Sequence, residues 1–285
     1  MADFIALLGV KGGPAIRPGS NRPTSTLLSL GGRTILVDAG LGAALGVCGQ
    51  SVALTDLDAI FVTHLHSDHY LELGPLIHTA WTAGLRRKLP VFGPPGLDRY
   101  WTAFLASMEY DIRLRIADEG RIDLASLVEI HVLDEDEATD IHGITVSAML
   151  NVHPPIEQSF ALRFETDETV IVLSGDTAYM PEMAVFAQGA DVLVHEAMLI
   201  EGVERVVEMT RNGDDRLRQH ILRSHTAAHD VGRVAKDAAV RRLVLNHFVP
   251  DGLPEFTEAD WREATRETYG GDLVIGRDGM RLELG

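Results

Sequence analysis

Short apolar runs that end in polar side chains recur along the chain. Each run is rich in Val, Ile and Leu and is bounded by turn residues, which is the pattern of a buried β-strand. The runs are 34–37, 59–62, 170–173, 192–194 and 243–245, and the polar residues that follow them are Asp38, Thr63-His64, Ser174-Gly175-Asp176, His195-Glu196 and Asn246-His247. Because ligands gather beyond the strand ends of helix-covered sheets, these polar residues predict one shared site.

Segments with a helical spacing of apolar residues lie between the predicted strands. Residues 98–109, 226–239 and 257–268 each predict a helix. The last part of the chain, 273–284, predicts a β-hairpin. Alternating helices and strands predict an α/β fold, a layered sandwich in which helices cover both faces of mixed sheets. We expect the whole chain, 1–285, to form a single domain.

The composition is that of an ordinary globular protein with a strong negative charge. Hydrophobic residues make up 46% and charged residues 24% of the 285 residues. The formal net charge is −17, and its field repels phosphate backbones, which argues against a nucleic-acid partner. The single cysteine, Cys48, excludes an intrachain disulfide and a thiolate metal cluster. Met1–Val10 lacks the features of a signal peptide and no run of 18 apolar residues occurs, which predicts a cytoplasmic protein without a membrane span.

The segment 63–69 reads Thr-His-Leu-His-Ser-Asp-His and holds four potential metal ligands. In an extended segment His64 and His66 point to the same side, and Asp68 and His69 follow where the chain turns. Imidazole and carboxylate together suit zinc, manganese or iron. This density of ligands is the strongest chemical signal in the sequence.

One short motif cannot complete two metal sites, because each cation needs three or four protein ligands and an open position for water. Further ligands are available elsewhere: His153 precedes two prolines, and Asp176 and His247 each follow a predicted strand. The sequence therefore predicts a site for two divalent cations. Its ligands are His64, His66, Asp68, His69, His153, Asp176 and His247.

The chain resembles the metallo-β-lactamase superfamily, in the branch of tRNase Z and the arylsulfatase-type and hydrolytic dehalogenase relatives. The matching pieces are 38–40, 63–69, 93–96, His153, 174–177, His195-Glu196-Ala197, Ser224-His225-Thr226 and Asn246-His247-Phe248. They follow the family's motif order from about residue 4 to the C-terminus. The resemblance implies an αββα four-layer sandwich with two metals at one edge.

The resemblance also implies how the ligands are shared between the two cations. The first position takes His64, His66 and His153, the second takes Asp68, His69 and His247, and Asp176 bridges them. Zn²⁺ is the leading candidate, with Mn²⁺ and Fe as alternatives. A hydroxide shared by the two metals would then be the nucleophile.

Three residues carry the expected catalytic roles. The resemblance implies that His225 gives a proton to the leaving group and that Glu196 orients it. Asp68 is counted both as a ligand and as a catalytic residue. His229 lies four residues after His225 and could also face the site, whereas we expect His220 to be a packed or surface residue.

The substrate is less sharply indicated than the metals. Aromatic residues in the segment 78–110, Trp81 among them, could form an apolar wall over the metals, although aromatic residues more often lie in a core. The leading interpretation is a hydrolase of a small, partly aromatic or apolar molecule. The scissile bond is that of an aryl sulfate, a phosphate diester, an ester or a lactone, or a carbon–halogen bond of an activated aromatic.

Two alternatives remain open. The first is a tRNA 3′-end processing endonuclease like tRNase Z, against which stand the net charge of −17 and the lack of an obvious Gly-rich basic arm. The second is a metal-binding scaffold without turnover. A homodimer is common among such relatives, so self-association stays open as well.

Overall fold

Two β-sheets pack face to face in the computed structural model, which describes residues 3–211 and 213–284. The first part of the chain forms strands β1 (Phe4–Gly9), β2 (Ser25–Leu30), β3 (Arg33–Val37), β4 (Ala59–Phe61), β5 (Leu89–Gly93) and β6 (Val128–Val132). The second part forms β7 (Thr139–Ile141), β8 (Ile144–Leu150), β9 (Phe160–Glu165), β10 (Val170–Leu173), β11 (Val192–Met198), β12 (Arg242–Val249), β13 (Asp272–Ile275) and β14 (Met280–Glu283).

Each sheet has seven strands within the described residues. The strand order is β14-β1-β2-β3-β4-β5-β6 in the first sheet and β13-β12-β11-β10-β9-β8-β7 in the second. Both sheets are mixed: β3 to β6 run parallel to one another, as do β10 to β13, and the remaining pairs are antiparallel. The carboxyl ends of the parallel strands therefore supply the loops that a shared site needs.

Helices cover the outer faces of both sheets. They are α1 (Ala43–Gly49), α2 (Ser67–Tyr70), α3 (Leu73–Thr82), α4 (Leu97–Ser107), α5 (Glu109–Glu119), α6 (Glu182–Phe186), α7 (Ile200–Thr210), α8 (Arg216–Ser224), α9 (Ala228–Asp237) and α10 (Glu258–Arg266). Apolar residues of α1, α3 and α4 pack on the first sheet, and those of α6, α9 and α10 pack on the second. The result is the αββα sandwich that the sequence predicts.

The five predicted strands are all present, but two extend further than their apolar runs. β11 continues through Glu196 to Met198, and β12 continues through His247 to Val249. The pairing of these two strands shifts register after Glu196, so that His247 is the extra residue of a β-bulge with a positive φ of 44°. A bulge redirects a side chain, and here it sends the His247 imidazole toward the first sheet.

The predicted C-terminal hairpin is wrong. β13 pairs in parallel with β12 of the second sheet, whereas β14 pairs antiparallel with β1 of the first. The turn between them crosses from one sheet to the other and is tied down by Asp278, whose carboxylate accepts from the backbone N–H groups of Val10 and Arg22. Two strands that follow each other closely need not pair when a more distant strand offers a free edge.

The space between the sheets is filled by large apolar side chains. The Phe61 ring on β4 stacks on Phe92 of its own sheet at a centroid distance of 4.7 Å. It also meets Phe164 of the opposite sheet edge-on at 5.4 Å. Aromatic pairs of this kind add to the free energy of burial. None of the helices in the described part of the chain is long and apolar enough to cross a membrane.

Phe61→Ala should therefore lower the free energy of unfolding by about 3–5 kcal/mol, since it removes a ring buried between the sheets and leaves a cavity. The measurement is chemical denaturation followed by circular dichroism. Tyr110→Ala is the control, because that side chain is 83% exposed on α5 and its removal should change stability by less than about 0.5 kcal/mol. Equal effects of the two changes would contradict the packing described for Phe61.

Candidate metal centre

Seven side chains from four separate segments of the chain meet at one edge of the sandwich. The ends of the strands set their positions. Four of the side chains come directly after β4, one comes after β8, one comes after β10, and one lies in the bulge of β12. They are His64, His66, Asp68, His69, His153, Asp176 and His247, the set singled out in the sequence, and they form two groups that share Asp176. All of them are buried except His66, which is half-buried.

Three imidazoles form the first group, which we call the three-histidine cluster (His64, His66 and His153). The His66 Nδ1 atom lies 3.1 Å from His64 Nε2 and 2.9 Å from His153 Nε2. The Oδ2 atom of Asp176 lies 3.7 Å from His64 Nε2 and 3.8 Å from His153 Nε2. Three nitrogen atoms and one carboxylate oxygen thus surround one small space.

A second group, the mixed cluster, combines Asp68, His69 and His247 with the same oxygen of Asp176. The Asp176 Oδ2 atom lies 3.3 Å from His69 Nε2 and 3.0 Å from His247 Nε2. The Oδ2 atom of Asp68 lies 3.5 Å and 3.4 Å from the same two nitrogens. A single carboxylate oxygen of Asp176 therefore faces both clusters.

The distances in the mixed cluster fit a zinc-like cation. Zinc–nitrogen bonds of about 2.0–2.1 Å in a tetrahedron put neighbouring donors about 3.3 Å apart. The four donor–donor distances of the mixed cluster, 3.0 to 3.5 Å, scatter around that value. The His69 Nε2 atom is also buried without a hydrogen-bond partner among the described residues. A metal ion would give a buried imidazole nitrogen of this kind a partner.

Hydrogen bonds to the opposite nitrogens fix the orientation of three rings. His69 Nδ1 donates to Asp38 Oδ2 over 2.8 Å, and His153 Nδ1 donates to the Ser224 carbonyl over 2.9 Å. Asp38 also accepts from Thr63 N over 2.8 Å, and the Thr63 hydroxyl lies 3.1 Å from His64 Nδ1. Each of these contacts leaves Nε2 as the bare nitrogen that points into a cluster.

The charges of the two clusters differ. Burial lowers the pKa of His64 well below its usual value and that of His153 to about 4, so these rings are neutral, as metal-binding imidazoles must be. In the mixed cluster burial opposes the charge, yet Asp176 raises the pKa of His247 to about 10 and that of His69 well above its usual value. The buried carboxylates of Asp68 and Asp176 thus require positive charge, which protons or a divalent cation can supply.

Glu196 and His225 form a buried ion pair next to the mixed cluster. His225 Nδ1 donates to Glu196 Oε1 over 3.0 Å, and Thr177 N donates to the same oxygen over 2.8 Å. The His225 and His247 rings stack at a centroid distance of 5.5 Å. Although burial lowers it, the carboxylate of Glu196 raises the pKa of His225 overall, which favours the charged imidazolium.

The structure places away from the site two features that the sequence left open. His229 does not face the clusters, because its ring donates to Glu267 on the protein surface over 2.9 Å and is 41% exposed. The aromatic residues of 78–110 do not line the site either. Trp81 and Trp101 are buried in the core that α3 and α4 form with the first sheet. They are ordinary core residues. Their position in the sequence next to the metal motif does not indicate whether their side chains point toward the metal site or into the core.

A cavity of about 350 Å³ opens above the clusters, and two of the residues that line it are not predicted as site residues by the sequence. Lys11 is buried at its wall, with Nζ donating to the Gly12 and Gly13 carbonyls, and Gly13 N donates over 2.8 Å to Asp68 Oδ2. His220 of α8 lies with its ring centroid 5.9 Å from that of His66. Only the fold brings these two residues here, since neither lies in a motif rich in ligands.

Comparisons with known sequences give a family for the chain. A family model described as "Anti-Pycsar protein Apyc1" matches residues 5–242. The ribonuclease Z of Mycobacterium sp. (strain KMS) is 34% identical over 282 residues, which are 98% of this chain and 95% of that protein. The chain therefore matches a curated relative over nearly its whole length.

Solved structures share the fold. YhfI from Bacillus subtilis, a metallo-β-lactamase fold protein, aligns with a TM-score of 0.72 at 21% identity, covering 99% of this chain and 100% of that one. The short form of human tRNase Z aligns with a TM-score of 0.68 at 19% identity, covering 99% of each chain. At such identities the likeness shows the metallo-β-lactamase fold alone.

Asp38→Ala should weaken zinc binding about 10- to 100-fold, because it removes the carboxylate that orients His69. Competition with a chromophoric chelator measures this change. The matched control is Asp58→Ala, which removes a carboxylate that accepts from Thr34 N over 2.8 Å at the far end of the neighbouring strand. Zinc affinity should be unchanged in the control. A zinc affinity of Asp38→Ala within twofold of the parent protein would show that this contact does not organise the site.

Proposed function

The chain belongs to the ribonuclease Z branch of the metallo-β-lactamase superfamily and to the family described as anti-Pycsar protein Apyc1, and from this premise we propose that it hydrolyses nucleotide phosphodiesters. It is a metal-dependent hydrolase by its relatives and its fold. The observation that carries the substrate class is the 34% identity to a ribonuclease Z over 98% of the chain. This ranks a phosphodiester above the aryl sulfate, carboxylic ester, lactone and haloaromatic considered from the sequence.

Two divalent cations are part of the proposal. The three-histidine cluster would hold the first, and Asp68, His69 and His247 would hold the second, with Asp176 belonging to both groups. The nitrogen-rich donor set and the donor spacing favour Zn²⁺ over harder cations. When bound, such cations would supply a more acidic water and positive charge near the phosphate.

Protein side chains supply the remaining chemistry. Hydrolysis adds the oxygen of water to phosphorus and breaks the bond to the leaving alcohol, which departs with one more proton. His225 lines the cavity, and Glu196 engages its Nδ1, so Nε2 is the atom that delivers this proton. Glu196 is fixed in turn by Thr177 N, which keeps the imidazole in one orientation.

The relatives favour RNA as the carrier of the phosphodiester, and the 3′ end of a precursor tRNA is the first substrate to test. This reverses the ranking from composition, in which a net charge of −17 argued against nucleic acid. A second candidate is a small nucleotide diester. The cavity favours it, because its volume of about 350 Å³ is the size of a small-molecule site.

A substrate panel tests the proposal. The zinc-loaded protein is incubated with a precursor tRNA that carries a 3′ trailer, with bis(p-nitrophenyl) phosphate, with p-nitrophenyl sulfate and with p-nitrophenyl acetate. We expect hydrolysis of the phosphodiesters and about 100-fold slower reaction of the sulfate and the carboxylic ester. Sulfate or carboxylic ester turnover without phosphodiester turnover would overturn the proposal. Metal retention without any turnover would indicate a scaffold instead.

His225→Ala should leave zinc content intact and slow poor leaving groups most. An alkyl leaving group needs a proton and should react about 100- to 1,000-fold more slowly, whereas p-nitrophenolate needs none and should lose far less. Steady-state kinetics on a series of phosphodiesters with leaving groups of increasing basicity measures the difference. His229→Ala is the matched control, because this exposed histidine lies on the next helix and pairs with Glu267. Equal slowing across the series would contradict proton donation by His225.

A further inference from the structure

Helices α7 and α8 form an apolar wall of the cavity over the metal clusters. This wall has no role in the proposed hydrolysis. Val206 on α7 and Leu217 and Ile221 on α8 line the cavity together with Val249 at the end of β12. The side chains of Val206 and Leu217 are only half-buried, although they pack on the cluster of Met198, Val203, Ile221 and Val249. Apolar side chains left partly open inside an enclosed cavity are available to a ligand.

Polar and charged groups stand at defined places around this wall. The Thr210 side chain is exposed at the end of α7, and His220 lies one turn from Leu217 on α8. Lys11 and Arg17 line the same cavity, and the Arg17 guanidinium has no carboxylate partner within 4.0 Å among the described residues. The cavity therefore combines an apolar wall that carries a few hydrogen-bonding groups with two basic side chains.

We infer that the α7–α8 wall is a subsite for the single nucleoside that carries the scissile phosphate, a step that rests on the proposed phosphodiesterase activity. A nucleobase offers an apolar face to Val206 and Leu217. Its polar edge and the sugar hydroxyls offer partners to Thr210 and His220. An unsubstituted aryl ring would bury the same area but would form no hydrogen bonds with the polar groups of the wall.

The size of the space limits what can enter. About 350 Å³ lies near the lower end of the range for small-molecule sites, so one unstacked nucleotide fits and a base-paired helix does not. An RNA substrate would have to present an unpaired nucleotide to this wall, as sequence-specific RNA recognition commonly requires. The same subsite could therefore bind the nucleoside of a small diester or an unpaired nucleotide at the end of an RNA.

The helices provide matched pairs of variants. Val206 and Leu217 line the cavity, whereas their neighbours Val207 and Leu222 are half-buried in the same apolar cluster but do not line it. Val206→Thr keeps the shape of the side chain and adds a hydroxyl, and Val207→Thr does the same beside the cavity. Leu217→Gln and Leu222→Gln form the second pair. Damage to the α7–α8 packing affects both members of a pair, while loss of the subsite affects only one.

The test compares two diesters with the same leaving group, thymidine 5′-p-nitrophenyl phosphate and methyl p-nitrophenyl phosphate. The measured quantity is the ratio of their kcat/KM values, which reports the contribution of the nucleoside. We expect Val206→Thr and Leu217→Gln to lower this ratio about tenfold, and Val207→Thr and Leu222→Gln to leave it unchanged. Equal ratios within each pair would overturn the inference. Phenyl p-nitrophenyl phosphate is the third substrate. If its kcat/KM exceeds that of the methyl diester by as much as that of the thymidine diester does, the wall binds any flat ring rather than a nucleoside.

Calorimetry separates failure of the subsite from failure of the proposed activity. Thymidine 5′-monophosphate is titrated into the zinc-loaded parent protein and the four variants. If no diester is hydrolysed, the phosphodiesterase proposal is wrong, yet the subsite still requires that Val206→Thr and Leu217→Gln weaken binding about tenfold relative to their paired controls. Equal binding of the nucleotide by all five proteins would overturn the subsite whatever the activity.

Discussion

A buried carboxylate that must meet positive charge organises this protein. Asp176 is 2% exposed, and its Oδ2 atom faces imidazole nitrogens of both clusters at 3.0 to 3.8 Å. An ionised carboxylate in such a place is tolerated only when opposite charge and hydrogen bonds compensate its lost hydration. The convergence of the surrounding histidine nitrogens on this oxygen supplies that compensation.

The backbone that achieves this convergence departs from regular geometry at three points. Asp38 and His247 have positive φ values of 60° and 44°, and Gly175, just before the central carboxylate, has 58°. A Cβ atom at Gly175 would lie 2.5 Å from the Phe160 carbonyl oxygen, so only glycine allows this approach. Strained positions of this kind persist where surrounding structure determines them. Here the paired strands on either side supply that restraint.

The sequence predicts those parts of the fold and site whose causes are local. The strands are predictable because the apolar residues of each one are consecutive in the chain. The metal motif is predictable because four potential ligands fall within the segment 63–69. The C-terminal hairpin failed because the partner of β14 is β1, almost the whole chain away. Lys11 and His220 were missed for the same reason. Their place at the cavity depends on where a loop and a helix come to lie, and no local pattern encodes that.

Net charge is a weak guide to the substrate because it is a property of the whole surface. In physiological salt a surface charge is screened beyond about 8 Å, so distant carboxylates change the rate of encounter more than the energy of a bound phosphate. Close to the site the balance is different, since Lys11 and Arg17 line the cavity together with His66 and His247 of the clusters. A formal charge of −17 is therefore compatible with the phosphodiester substrate that we propose.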